Sequence, residues 1–324
     1  MLELTFTAAD VANTRFAISP LWEVVAAVRV LRAPRQHLLH SGWAAQARGW
    51  LAEANLDWTM LAELVGSRHI PGFVAPPPAT TVPDIELELA TLRATTAEQV
   101  RASLDDVNEP RTPAVCRIYD APDEGLAELV ACIESFWQLV LAPHWPHIRD
   151  VLEADIRHRA QQLAEGGAQR LLNGLYPEVS WEGDRLVVPR RYRPQRAALN
   201  GRGLLLAPSV FIWPDVFSIT TPPFQPTVRY PPRGIATLWE HRTDPPPEAL
   251  SAVLGRSRAR LLAALGDPAS TGALARRAGL TPGAVSQQLQ ALRAAGLVSA
   301  HRTGRYVLYS RTAVAEALLG GPVD

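Results

Sequence analysis

Between Ser270 and Ser310 the chain reads STGALARRAGLTPGAVSQQLQALRAAGLVSAHRTGRYVLYS, and the punctuation inside that stretch leaves few folds open. From Thr271 to Ala278, apolar Ala273, Leu274 and Ala278 mark one face of a short helix. Gly279 ends it, because glycine accepts the left-handed conformation that side chains resist. Thr281-Pro282 then starts a second helix. A threonine hydroxyl can accept a free backbone N–H at a helix start, and proline suits the first helical position. Val285, Leu289 and Leu292 recur at i, i+4 and i+7 as one apolar stripe, and Ala295-Gly296 closes the helix. Leu297 to Arg302 and Arg305 to Ser310 read as strands, with Thr303-Gly304 as the tip of a hairpin.

The other face of the second helix presents Gly283, Ser286, Gln287, Gln290 and Arg293, with no acid among them. Small and hydrogen-bonding side chains suit a face that approaches base edges and phosphates. Three segments carry a family likeness: Ala284 to Leu292, Ala295 to Val298, and Gly304 to Tyr309. Together, over roughly Leu254 to Leu319, they resemble the ArsR/SmtB family of bacterial transcriptional regulators. The resemblance implies a winged helix-turn-helix that binds double-stranded DNA, a repressor acting as a homodimer on a pseudo-palindrome. In that reading Thr281 to Ala294 enters the major groove, and Ser286, Gln287 and Gln290 face base edges. Arg293, Arg302 and Arg305 neutralise phosphates, and Thr281 and Gly283 let the helix start approach one. A helix from Ser257 to Leu265 is expected to join the dimer contact.

A formal net charge of zero conceals an asymmetry. From Gly255 to Gly320, nine arginines face Asp267 and Glu316 alone, leaving +7 there and −7 on the rest. A basic end on an acidic chain is what a phosphate-binding module needs. All the basic residues besides histidine are arginine. Cys116 and Cys132 are too few for a disulfide framework and are expected to be separate buried thiols. Neither a signal peptide nor an apolar run of bilayer length is read, so no membrane partner is expected and the cytoplasm, at the nucleoid, is the expected location.

The first 239 residues read as a helical domain followed by a small antiparallel sheet, residues 240–254 as a proline-rich linker, and 255–324 as the DNA-binding domain; the fold class is α+β. Helices are expected over Pro20 to Arg32, His40 to Ala54, Asp57 to Val65, Ile85 to Arg93, Thr96 to Leu104, Pro122 to Leu141 and Trp145 to Leu172. Strands are expected at Leu2 to Thr7, Val179 to Trp181, Leu186 to Val188, Gly203 to Ala207, Val210 to Trp213 and Thr227 to Tyr230. Thr14 to Glu23 and Ala142 to Pro146 resemble parts of a domain of unknown function that precedes ArsR-type winged helices in some regulators.

Catalytic motifs are missing: the sequence has no P-loop, GxSxG or HExxH, and no enzyme is expected. Metal sensors of the ArsR/SmtB family often carry a cysteine pair on the first helix of the motif. Thr271 to Arg277 holds neither Cys nor His, and the last helix offers only Glu316. The pairs His37/His40 and His144/His147 lack an obvious third ligand, so no metal or other cofactor is expected. All nine tryptophans lie between Trp22 and Trp239. They are read chiefly as core, with a small-molecule effector of unknown identity as the further use. The basic run of Arg190, Arg191, Arg193 and Arg196 is read as an exposed loop. The competing function is a constitutive or partner-docked architectural DNA binder without an effector.

Overall fold

The computed structural model describes the chain except residues 67–69, 108–109, 189–194, 236–237, 240–247, 267, 304–305 and 320–324, and the side chains at 35, 249, 303, 306 and 313. The chain divides into two compact units, Met1–Ala33 with Ala47–Ile235, and Pro34–Gln46 with Ala236–Asp324.

In the first unit, β1 (Leu2–Thr5), α1 (Ala8–Ala12), β2 (Arg15–Phe16) and α2 (Pro20–Arg32) lead into α3 (Ser41–Glu53), whose first turns are assigned to the second unit. The helices α4 (Thr59–Leu64), α5 (Ile85–Arg93), α6 (Ala97–Asp105), α7 (Pro113–Asp120), α8 (Pro122–Phe136) and α9 (Trp145–Asn173) follow. Then come β3 (Ser180–Glu182), β4 (Arg185–Val188), β5 (Gln195–Ala198), β6 (Leu205–Pro208), β7 (Phe217–Ile219) and β8 (Thr227–Tyr230). Local capping chemistry sets many helix starts. Ser19 accepts from Trp22 N at 3.0 Å ahead of Pro20, and Thr96 and Gln99 form a reciprocal capping box.

The expected small antiparallel sheet is corrected to two mixed four-stranded sheets, in the orders β3-β4-β1-β5 and β2-β6-β8-β7. β1 pairs antiparallel with β4 but parallel with β5, Leu2 opposite Gln195. β6 pairs parallel with both β2 and β8. Parallel neighbours need long crossovers, so their pairing leaves no mark on local alternation. The expected strand at Val210 to Trp213 is a buried turn instead. The Glu23 carboxylate takes the Val210 and Phe211 amides at 3.2 and 3.4 Å, so those donors serve a side chain. Burial pushes Glu23 up to about 8 and Glu88, which accepts from Ser19 Oγ and Leu21 N, up to about 7. Arg229, itself buried, lies 3.9 Å from the Trp22 ring centroid and donates to the Ala75 carbonyl.

Two further expectations change. α9 is broken at Gly166-Gly167, with Gly167 at φ +67°, so it is not one continuous helix. From Pro122 to Asn173 the helical run includes an 18-residue window of mean hydropathy 1.5, half of it buried. By length and composition this run could cross a bilayer, contrary to the sequence reading. Its buried residues include Leu129, Ile133, Phe136, Val140 and Leu141, which serve as core. Both cysteines are free, but Cys116 is exposed and Cys132 half-buried, not buried as expected.

The second unit contains α10 (Glu248–Leu254), α11 (Arg256–Ala263), β9 (Ala269–Ser270), α12 (Thr271–Ala278), α13 (Pro282–Ala294), β10 (Val298–Thr303), β11 (Tyr306–Arg311) and α14 (Ala313–Leu318). The triple proline lies outside the described residues, but Glu248–Leu254, read as linker, is helical. Buried Leu250 joins a core with Leu261, Leu262, Leu265, Leu274, Val285, Leu289, Leu292 and Val298. A three-stranded sheet, β10-β11-β9, closes this unit.

Candidate nucleic-acid interface

Ser270 opens α12 by accepting from Ala273 N at 3.3 Å, and Ala273, Leu274, Ala275 and Ala278 are its buried face. Gly279, at φ +65°, turns the chain, and Leu280 N returns to Ala275 O at 3.0 Å. Thr281 Oγ1 then accepts from Ala284 N at 3.3 Å, with Pro282 in the first turn of α13. Val285, Leu289 and Leu292 are essentially inaccessible, which fixes the rotation of α13 about its axis.

That rotation leaves Thr281, Gly283, Gln287, Gln290 and Arg293 exposed and Ser286 half-buried. On a 3.6-residue period Gly283, Ser286, Gln287, Gln290 and Arg293 share one face, so α13 brings the expected residues together. A Cβ at Gly283 would meet nothing within 4 Å, so the helix start is open on that side. Gln288 belongs elsewhere. It is half-buried, and Arg258 Nε of α11 donates to its Oε1 at 2.9 Å.

β10 and β11 form an antiparallel hairpin from Val298↔Arg311 to Thr303↔Tyr306. The sequence reading put the tip at Thr303-Gly304, but the Thr303 backbone is still in the ladder, opposite Tyr306, and Gly304 lies outside the described residues. Arg302 is exposed on β10, beside exposed His301. Arg305 lies outside the described residues. Sequence reasoning treated the nine arginines as one pool of surface charge. The structure instead turns Arg277 onto Ala264 O at 3.0 Å, and Arg311 onto Leu262 O and Ala263 O at 2.8 and 2.7 Å. Their distant partners carried no sequence signal. Arg256, Arg260, Arg276 and Arg293 are exposed.

A family model described as a helix-turn-helix domain matches residues 255–299. The C-terminal part of the chain carries a helix-turn-helix domain. That domain supports DNA binding and transcription regulation, as the sequence implied, while the ArsR/SmtB subtype is narrower than the match. A second model, described as a family of unknown function (DUF5937), matches residues 109–235 and includes the Ala142 to Pro146 segment. Comparison with curated proteins gives no match, and neither does comparison with solved structures.

Among the described residues no three His, Cys, Asp or Glu side chains are grouped to hold a metal ion. Arg190, Arg191 and Arg193 lie outside the described residues; Arg196, on β5, pairs with Glu3 at 3.1 Å. Trp22, Trp43, Trp137, Trp213 and Trp239 are buried, as core tryptophans should be. Trp50 stacks on His144 with ring centroids 5.6 Å apart.

Proposed function

We propose that this chain is a transcription repressor of the ArsR/SmtB type that binds a pseudo-palindromic operator as a homodimer in the cytoplasm. The observation that carries the reading is the acid-free exposed face of α13, capped at Thr281 and followed directly by an arginine-bearing hairpin. Gln287 and Gln290 read bases, since a glutamine amide matches the adenine edge in the major groove. Ser286 adds a shorter hydroxyl contact. Arg293, Arg302 and Arg305 bind phosphates, which sets affinity and salt dependence more than sequence choice. The α13 N-terminus, with Thr281 and Gly283, approaches a further phosphate.

Dimerisation is better supported by α10 and α14 than by the helix expected from sequence. The outward residues of α11 include Arg256, Ser257 and Arg260, all exposed, and a symmetric contact there would set arginine against arginine. Val253 on α10 is 82% exposed, and Val314 and Leu318, one turn apart on α14, are 60% and 47% exposed. A small-molecule effector, on this reading, would be received by the first unit, where Arg48, Leu51, Asn55, Asp57 and Trp58 line an open surface depression.

Gln290→Ala tests base reading. Binding to the preferred site should weaken by about 1–3 kcal/mol while binding to random DNA is unchanged, measured by fluorescence anisotropy at one salt concentration. An equal loss on both would remove Gln290 from the bases.

A further inference from the structure

The C-terminal end of α11 is one of the places where the hairpin is anchored. A helix leaves its last carbonyls without intrahelical donors and gathers partial negative charge there, so a cation settles at that end. Here two guanidinium groups from different elements converge on three consecutive carbonyls. Arg277 of α12 donates to Ala264 O at 3.0 Å. Arg311, the last residue of β11, donates through Nε to Leu262 O at 2.8 Å and through Nη2 to Ala263 O at 2.7 Å. Its third nitrogen, Nη1, meets Glu316 Oε2 of α14 at 2.9 Å. The Arg311 side chain is 14% exposed, so these bonds compete little with water.

From this arrangement we infer that Arg311 is a positioning residue for DNA binding, which orients the hairpin so that Arg302 can reach a phosphate. The inference rests on the functional reading above. Arg311 stands opposite Val298 at the base of the hairpin, with Arg302 four residues farther along β10. At roughly 3.4 Å per residue that lever is about 14 Å long, so a tilt of about 5° at the base moves Arg302 by about 1.2 Å. The long Arg302 side chain must then change rotamer to keep a phosphate contact, which costs side-chain entropy and weakens that contact. Other ties are Thr312 N to Leu297 O at 3.1 Å, Thr312 Oγ1 to Gly296 O at 2.8 Å, and the pairing of β11 with β9, Leu308 opposite Ser270 and Tyr309 opposite Ala269. The Thr312 bonds hold the chain where it leaves the hairpin and β9 holds the middle of β11, whereas Arg311 ties the base across to α11, the helix that packs on α13. The planar fork matters, because lysine could satisfy one of the three acceptors but not all of them.

The test is a double-mutant cycle on the full-length protein, with affinity for its selected DNA measured across a salt series. In the wild-type background Arg302→Ala should lower the salt slope by about 0.9 for each half-site, so about 1.8 for the dimer. In an Arg311→Met background the slope should already be lower by at least that amount, because the contact assigned to Arg305 is misplaced as well, and adding Arg302→Ala should change it no further. Discrimination by Gln290 should survive in Arg311→Met, which separates hairpin misplacement from loss of the whole domain. Arg311→Lys should fall between wild type and Arg311→Met, and it replaces the methionine variant in the cycle if that variant does not fold. Full additivity of the position 302 and 311 changes, with wild-type binding intact, would overturn the positioning role alone. A wild-type protein that binds no DNA would overturn the functional reading instead.

Discussion

Leu289→Ala is expected to weaken DNA binding by destabilising the domain that carries it. Leu289 is fully buried at the centre of α13, between Val285 and Leu292, in the core shared with Leu261, Leu262 and Leu274. Truncating a buried leucine costs about 2–5 kcal/mol, from lost transfer energy and the cavity left behind. A domain of this size has a total stability near the low end of about 5–15 kcal/mol, so one such change removes most of it. Urea unfolding followed by far-UV circular dichroism should show a transition shifted to lower denaturant, with DNA affinity falling in parallel. Gln290→Ala, one residue along but exposed, should leave that transition in place. If Leu289→Ala kept the wild-type unfolding midpoint, the orientation assigned to α13 would be wrong.

The second large effect belongs to the first unit. Arg159→Met should destabilise it by about 3–5 kcal/mol, because it strands a buried carboxylate. Arg159 and Asp155 side chains are 3% and 0% exposed, and Nε meets Oδ2 at 3.3 Å. The guanidinium also holds Gly174 O, Leu175 O and Gln162 Oε1, joining the two sides of the α9 break. After the substitution Asp155 keeps the Arg233 amide at 2.9 Å, and the buried Leu175 carbonyl and the half-buried Gly174 carbonyl lose a donor. Adding Asp155→Asn should recover part of the loss, since the uncompensated charge disappears. Tryptophan fluorescence during urea unfolding is the natural readout, because the tryptophans from Trp50 to Trp213 report on this unit. A double variant no more stable than Arg159→Met would deny that the stranded charge is the cause.

What could be read in advance depended on how far apart the interacting groups lie along the chain. Pro20–Arg32, Ile85–Arg93 and Thr227–Tyr230 match their expected limits, since caps and periodicity act within a few residues. Thr112 caps α7 ahead of Pro113 as Ser19 does ahead of Pro20, so the start of that helix, too, is legible from local chemistry. The parallel pairing of Leu2 with Gln195 was not, nor was the capture of the Val210 and Phe211 amides by Glu23. Within the helix-turn-helix the exposed face of α13 followed from the spacing of Val285, Leu289 and Leu292. The inward use of Arg277 and Arg311 did not, because Arg311 lies 49 residues from the carbonyl it binds. A net charge of +7 therefore overstates the number of phosphates this region can neutralise.

Selection of bound fragments from a random DNA pool by the full-length protein bears most directly on the claim that α13 reads sequence. The account predicts enrichment of one pseudo-palindromic site, with half-sites centred about one helical turn apart. It also predicts that the same selection with Gln290→Ala relaxes the preference at the same base pair in each half-site. A pool that stays random after repeated rounds, while binding weakens steeply with salt, would contradict it and leave only non-specific attraction to phosphate.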